Sequence, residues 1–138
     1  MLLNAVIAAT LMVTTTLIHI EATVWVVHIL EKHHTVGIAR LNRSHYYWIS
    51  VIVLMMFFVS LLEVVCWTIA YLSLGALEGF EPALYFSMVT YTTLGYGDIV
   101  LDPRWRLISS FEAVNGIIMF GWTTAIVIYA VQNIHTKK

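Results

Sequence analysis

The chain has 138 residues, of which 60% are hydrophobic and 11% charged, with a formal net charge of −1 at pH 7. Charged residues make up about a quarter of an ordinary soluble domain, so this balance excludes one. It also provides no basic surface for nucleic acid, and the length fits one integral membrane domain.

Residues 1–20 carry no charge, and about 20 apolar residues suffice to span a bilayer, which predicts a first transmembrane helix over 1–30. Its start lacks a basic n-region, so a retained span is expected rather than a cleaved signal peptide. The helix carries His19, Glu21 and His28, and a loop over 31–45 adds His33, His34 and His45. Such a set raises a metal site or a proton sensor. Spacing argues against the metal: His19 and Glu21 face different ways, and Glu21 and His28 share a face but are separated by about 10 Å of helical rise. The run His28 to His34 misses the H-x-x-E-H pattern because Lys32 stands where a ligand is required. No transition-metal site is expected. Interfacial solvation is the expectation for the histidines, with proton sensing by His33, His34 and His45 as the alternative. No arginine repeat is present, which excludes a voltage sensor of the usual kind.

Residues 46–62 are again uncharged, and a second helix is predicted over 46–74. Tyr46, Tyr47, Trp48, Trp67 and Tyr71 fit an aromatic belt near its ends. Glu63 lies within this span and needs a partner on a neighbouring helix, or a proton. Cys66, the single cysteine, has no intrachain disulfide partner.

The apolar piece 82–93 is too short to span and predicts a re-entrant helix, with Pro82 in its first turn and Gly79 and Glu81 just ahead. It leads into Thr92-Thr93-Leu94-Gly95-Tyr96-Gly97-Asp98. An ion that sheds water inside a membrane needs replacement oxygens aimed at one axis. An ordinary strand alternates its carbonyls, so the loop must alternate right- and left-handed backbone, and Gly95 and Gly97 reach positive φ without steric cost. Leu94 and Tyr96 would then point away from the axis and brace the loop. If the end of the short helix at Thr92 faces that axis, its partial negative charge favours a hydrated cation there.

A last helix is predicted over 105–132, followed by a tail over 133–138 with no room for a soluble ligand-binding domain. Gly116 and Gly121 lie mid-span as either a hinge or points of close packing. Glu112, Asn115 and Gly116 share a face. Glu112 can hydrogen-bond the re-entrant helix or face a cavity, and its shallow depth favours the first. Lys32, Arg40, Arg43, Lys137 and Lys138 outweigh the basic content of the segments around 78–106, which hold Glu78, Glu81, Asp98 and Asp102. The positive-inside rule therefore puts the 31–45 loop and the tail in the cytoplasm, with the N-terminus outside and the 93–98 loop entering from the outer face.

Thr93-Leu94-Gly95-Tyr96-Gly97-Asp98 resembles the signature filter of tetrameric potassium channels. The likeness runs over 46–132, with outer helix 46–74, pore helix 82–93, filter 93–98 and inner helix 105–132. Trp105-Arg106-Leu107 through Gly116 and Gly121 to Ala125 are similar to inner helices of the small bacterial two-helix members. The resemblance implies a pore domain with an extra N-terminal helix, assembled as a homotetramer. It also implies that Thr93, Leu94, Gly95, Tyr96 and Gly97 coordinate K+, with support from Tyr85, Phe86, Val89 and Asp98. Leu94 stands where Val is commoner, and Val89 where some members carry a glutamate. Phe86 lacks a donor, which leaves Tyr85 to Asp98 as the bracing hydrogen bond.

The expected molecule is an all-α integral membrane protein with three transmembrane helices, a re-entrant pore helix and a filter loop. Its expected function is passive, potassium-selective conduction across the plasma membrane, or the inner membrane of a bacterial cell. It would be no enzyme and hold no cofactor, with K+ as permeant ion and membrane lipids and its own copies as partners. The rivals are a nonconducting subunit that modulates other channels and a histidine-based membrane metalloenzyme. A leak, a filter gate, or control by lipid, pH or a partner all remain open as gating modes.

Overall fold

In the first helix Asn4, Thr15 and His19 face inward, while Thr10, Thr14, Glu21 and His28 are exposed. A computed structural model of the chain describes residues 2–32 and 43–135, and its elements are α1 (Leu2–Lys32), α2 (Arg43–Ser73), α3 (Phe80–Tyr91) and α4 (Arg106–His135). The buried stripe of α1 is Asn4, Ala8, Thr15, His19, Val26 and Leu30, spaced by alternating fours and sevens so that it stays on one helical face. Its exposed face carries Leu3, Val6, Val13, Leu17, Val24 and Trp25. Apolar side chains cost nothing against lipid, whereas polar ones need partners inside the protein, so a membrane helix distributes residues in this sense.

The three long helices are long and apolar enough to cross a membrane. Their 30 or 31 residues give each a length of about 45 Å, more than a hydrocarbon core about 30 Å thick requires. The 12-residue α3 reaches only about 18 Å. α1 packs in its own chain against both α2 and α4. At one end of the bundle Ala8, Trp67, Tyr71, Phe86, Tyr91, Trp105 and Ile108 form the core. At the other end Val26 and Leu30 meet Ile52, Met56, Ile126 and Ala130. The Asn4 Nδ2 donates to the Arg104 carbonyl at 2.5 Å, so the start of α1 and the segment after α3 occupy the same end.

Boundaries move slightly from the sequence reading. The helix predicted over 82–93 runs Phe80–Tyr91 and stops there because Thr93 turns left-handed at φ 60°. Pro82 sits within its first turn, where a missing N–H costs no helical bond. The helix predicted over 46–74 runs Arg43–Ser73, that over 1–30 runs Leu2–Lys32, and that over 105–132 runs Arg106–His135.

Two aromatic residues do not belong to a belt. Trp67 and Tyr71 are completely buried, and Tyr71 meets Phe86 edge-on with ring centroids 5.3 Å apart. They lie on the α2 face that receives α3, and a ring there fills space between helices rather than reaching headgroups. Tyr46 and Tyr47 are exposed. His33, His34 and the side chain of His45 lie outside the described residues.

Candidate functional site

The loop after α3 is built on that helix's final turn. Thr92 caps it, with its N–H donating to the Met88 carbonyl at 3.1 Å, and the next turn tightens as Thr93 donates to Thr90 at 2.9 Å. The Val89 carbonyl then accepts two amides, Leu94 at 3.0 Å and Gly95 at 3.2 Å. Those carbonyls would otherwise be left without partners at the helix end. Val89 therefore supports the loop through its main chain.

From there the backbone alternates hand. Thr93, Gly95 and Gly97 have φ of 60°, 55° and 78°, and among the described residues Thr93 is the one non-glycine with positive φ. Alternation at every second residue turns successive carbonyls toward one side instead of opposite sides. The sequence reading required this of Gly95 and Gly97 and did not foresee it at Thr93. For a β-branched residue such a φ is a genuine outlier and costs about 1–2 kcal/mol. Leu94 and Tyr96 are 55% and 67% exposed, so within a single chain neither packs behind the loop.

A crevice of about 120 Å³ separates loop from helix, lined by Tyr85, Phe86, Val89 and Thr90 on one side and Gly95, Gly97, Asp98 and Ile99 on the other. Across it the Tyr85 hydroxyl donates to Asp98 Oδ2 at 2.7 Å. That hydrogen bond holds the Asp98 carboxyl below the usual carboxylate range and the Tyr85 phenol above its ordinary value, because it favours the charged acid and the neutral phenol. Asp98 Oδ1 also accepts the Ile99 N–H at 3.1 Å.

Two buried carboxylates stand behind α3. Glu112 of α4 accepts from Ser87 at 2.5 Å and from Tyr71 at 2.5 Å, so it bonds the short helix and α2 together. Glu63 of α2 lies 2.9 Å from His19 Nδ1 of α1 and accepts the Tyr91 hydroxyl of α3. His19 is fully buried, which overturns interfacial solvation for this histidine. It sits mid-helix on the inward stripe, where only a partner can compensate a polar ring. Glu21 and His28 lie on the exposed side of α1. Asn115 donates to Thr15 of α1 at 3.0 Å.

The two glycines of α4 differ. A Cβ on Gly116 would fall 2.0 Å from the Tyr91 carbonyl oxygen, whereas one on Gly121 would meet nothing within 4 Å. Gly116 is thus a point of close packing between α4 and the end of α3. At Gly121, packing within the chain gives no reason for a glycine.

With this geometry in hand, the chain can be compared with known proteins. A family model described as "Ion channel" matches residues 6–133. The chain belongs to the ion-channel family. Within that family it is of the two-helix potassium-channel type with an additional apolar helix in front, and three such helices make it a multi-pass membrane protein. No curated protein and no solved structure matches it. The match begins inside α1, so this ion-channel chain shares the family pattern beyond residues 46–132.

Several features of the site escaped the sequence reading, namely Ser87, Tyr91, the Val89 carbonyl and the pairing of His19 with Glu63. A signal existed for two of them: Ala83, Ser87 and Tyr91 are spaced by four on α3 and all are buried, which marks one face. No sequence rule pairs His19 with Glu63.

Proposed function

We propose that the protein is a passive potassium-selective channel. Four copies surround an axis, and main-chain carbonyls of residues 93–97 replace the water around K+, with the Thr93 hydroxyl adding an oxygen at the inner end. The observation that carries this reading is the left-handed backbone at every second residue, Thr93, Gly95 and Gly97, in an ion-channel chain. Exposed Leu94 and Tyr96 support assembly, since a neighbouring copy supplies the packing that one chain lacks. α3 acts as the re-entrant pore helix, and the end of α3 directs its partial negative charge toward the axis. The N-terminus and the filter mouth face outward across the plasma membrane, as the loop and tail charges require. No reaction is catalysed, and K+ is cargo.

Reconstitution tests it. Purified protein in lipid vesicles takes up rubidium down its gradient and excludes sodium, and Gly95→Asp abolishes uptake. A verified tetramer without flux would overturn the reading in favour of a nonconducting subunit. Bound zinc without flux would favour a metalloenzyme.

A further inference from the structure

We propose that Glu63 and His19 are a positioning pair for the filter, acting through Tyr91. The proposal rests on the reading of 93–97 as a potassium filter. It adds a role for α1 in selectivity.

Three helices meet at one carboxyl group, and the fourth touches its histidine. The two oxygens of Glu63 are divided between His19 Nδ1 of α1, at 2.9 Å, and the Tyr91 hydroxyl of α3. His19 is oriented in turn from α4, with Nε2 3.4 Å from Thr123 Oγ1 and its ring edge-on to Trp122 at 5.4 Å. Glu63 and His19 are both fully buried. A carboxylate and an imidazole at such a depth are costly to bury, and an apolar pair would fill the same space more cheaply. What the polar pair adds is direction: with one Glu63 oxygen on His19, the other is turned to the Tyr91 hydroxyl.

Tyr91 is where that direction matters. It is the last residue of α3, directly before Thr92 and the left-handed Thr93. It is held at three points: its hydroxyl by Glu63, its ring edge-on to Phe120 at 5.6 Å, and its carbonyl against Gly116. Filter carbonyls replace the hydration shell of the ion, and a coordinating site whose supporting contacts leave it about 1 Å too loose fails. The pair thus fixes the root of the filter from a helix that never reaches it.

The test uses the full chain in vesicles, with wild type, Tyr91→Phe, Glu63→Leu, Glu63→Gln and His19→Gln compared for uptake of rubidium against sodium. Tyr91→Phe keeps the ring and removes one hydroxyl. The rubidium-to-sodium ratio should fall about fivefold, the scale of one lost hydrogen bond. Glu63→Leu and His19→Gln should fall in the same direction, while Glu63→Gln, which keeps an oxygen for Tyr91, retains most of the ratio. Should Glu63→Leu not fold, Tyr91→Phe decides. Variants that lose total uptake but keep the wild-type ratio would show a merely structural role and overturn the proposal, as would unchanged uptake. A wild type without preference for rubidium overturns the potassium reading and this inference together, whereas a selective wild type with equally selective variants overturns the inference alone.

Discussion

Gly116 and Tyr91 touch backbone to backbone: the Cβ that any other residue would bring to position 116 falls 2.0 Å from the Tyr91 carbonyl oxygen. Neither side can yield by rotating a side chain, because the obstacle is main chain on a helix end. Gly116→Ala should therefore cost about 1–3 kcal/mol through displacement of α3 from α4. Gly121→Ala, where the added methyl meets nothing within 4 Å, should be neutral or stabilise the helix by up to about 1 kcal/mol. Thermal unfolding of the two variants in detergent checks the contrast, and equal melting temperatures would contradict it.

Thr93 invites the opposite experiment. Its φ of 60° is one a glycine adopts freely, so Thr93→Gly exchanges about 1–2 kcal/mol of backbone strain for the extra chain entropy of glycine. Stability should change by less than about 1 kcal/mol. On the potassium-channel reading proposed above, rubidium selectivity should fall, because that reading gives the Thr93 hydroxyl a place in ion coordination. Thr93→Ser should keep selectivity. Melting curves and vesicle flux on the same preparations separate the two effects.

The Tyr85 to Asp98 bond sets an acid limit. Its effect on Asp98 is to lower the carboxyl's pKa, so the bond stabilises the loop fully above the ordinary carboxylate value of about 3.9 and loses that contribution as pH falls through the still lower folded value. Acid on the side that Asp98 faces should therefore reduce flux only below about pH 4. Tyr85→Phe removes the donor and should move that acid limb to higher pH. Flux measured on one reconstituted preparation across the acid range, with and without the substitution, gives the displacement, and coincident curves would refute it.

Glu112 ties three elements together. Glu112→Ala leaves the buried Tyr71 hydroxyl without its acceptor, a loss of about 1–3 kcal/mol, whereas the Ser87 hydroxyl keeps the Val64 carbonyl at 3.0 Å. Glu112→Gln keeps an oxygen acceptor and should lose less. The order of melting temperatures, wild type above Gln above Ala, is the check.

How far the chain could be read in advance depended on the kind of signal. Helices α1, α2 and α4 follow from uncharged runs longer than a bilayer needs, and α3 from an apolar run too short to span, because lipid leaves few other options. The alternating loop was legible at Gly95 and Gly97, where residue type and backbone demand coincide. It was not legible at Thr93, where tertiary context forces a conformation the side chain resists. Of the polar pairs, the exposed Tyr85–Asp98 bond was legible through the family resemblance and Glu112 with α3 through its depth. Glu63 visibly needed a partner, but Tyr91 and His19 reach it through packing angles between helices, which no spacing encodes. Trp67 and Tyr71 were misplaced for a related reason. Aromatic residues near a span end serve either a headgroup belt or a helix contact, and only the arrival of α3 decides which.

The inward polar stripe of α1 has a consequence for how the protein is made. Each of its buried polar groups is met by a residue synthesised much later: His19 by Glu63, 44 positions on, and Asn4 and Thr15 by Arg104 and Asn115, each 100 positions on. α1 is made before α2, α3 and α4, so its buried imidazole and amide exist before the groups that pair with them, while the Thr15 hydroxyl already donates to the Leu11 carbonyl of its own helix. The inward face of α1 can therefore be fully paired only once the chain has been made as far as Asn115 in α4.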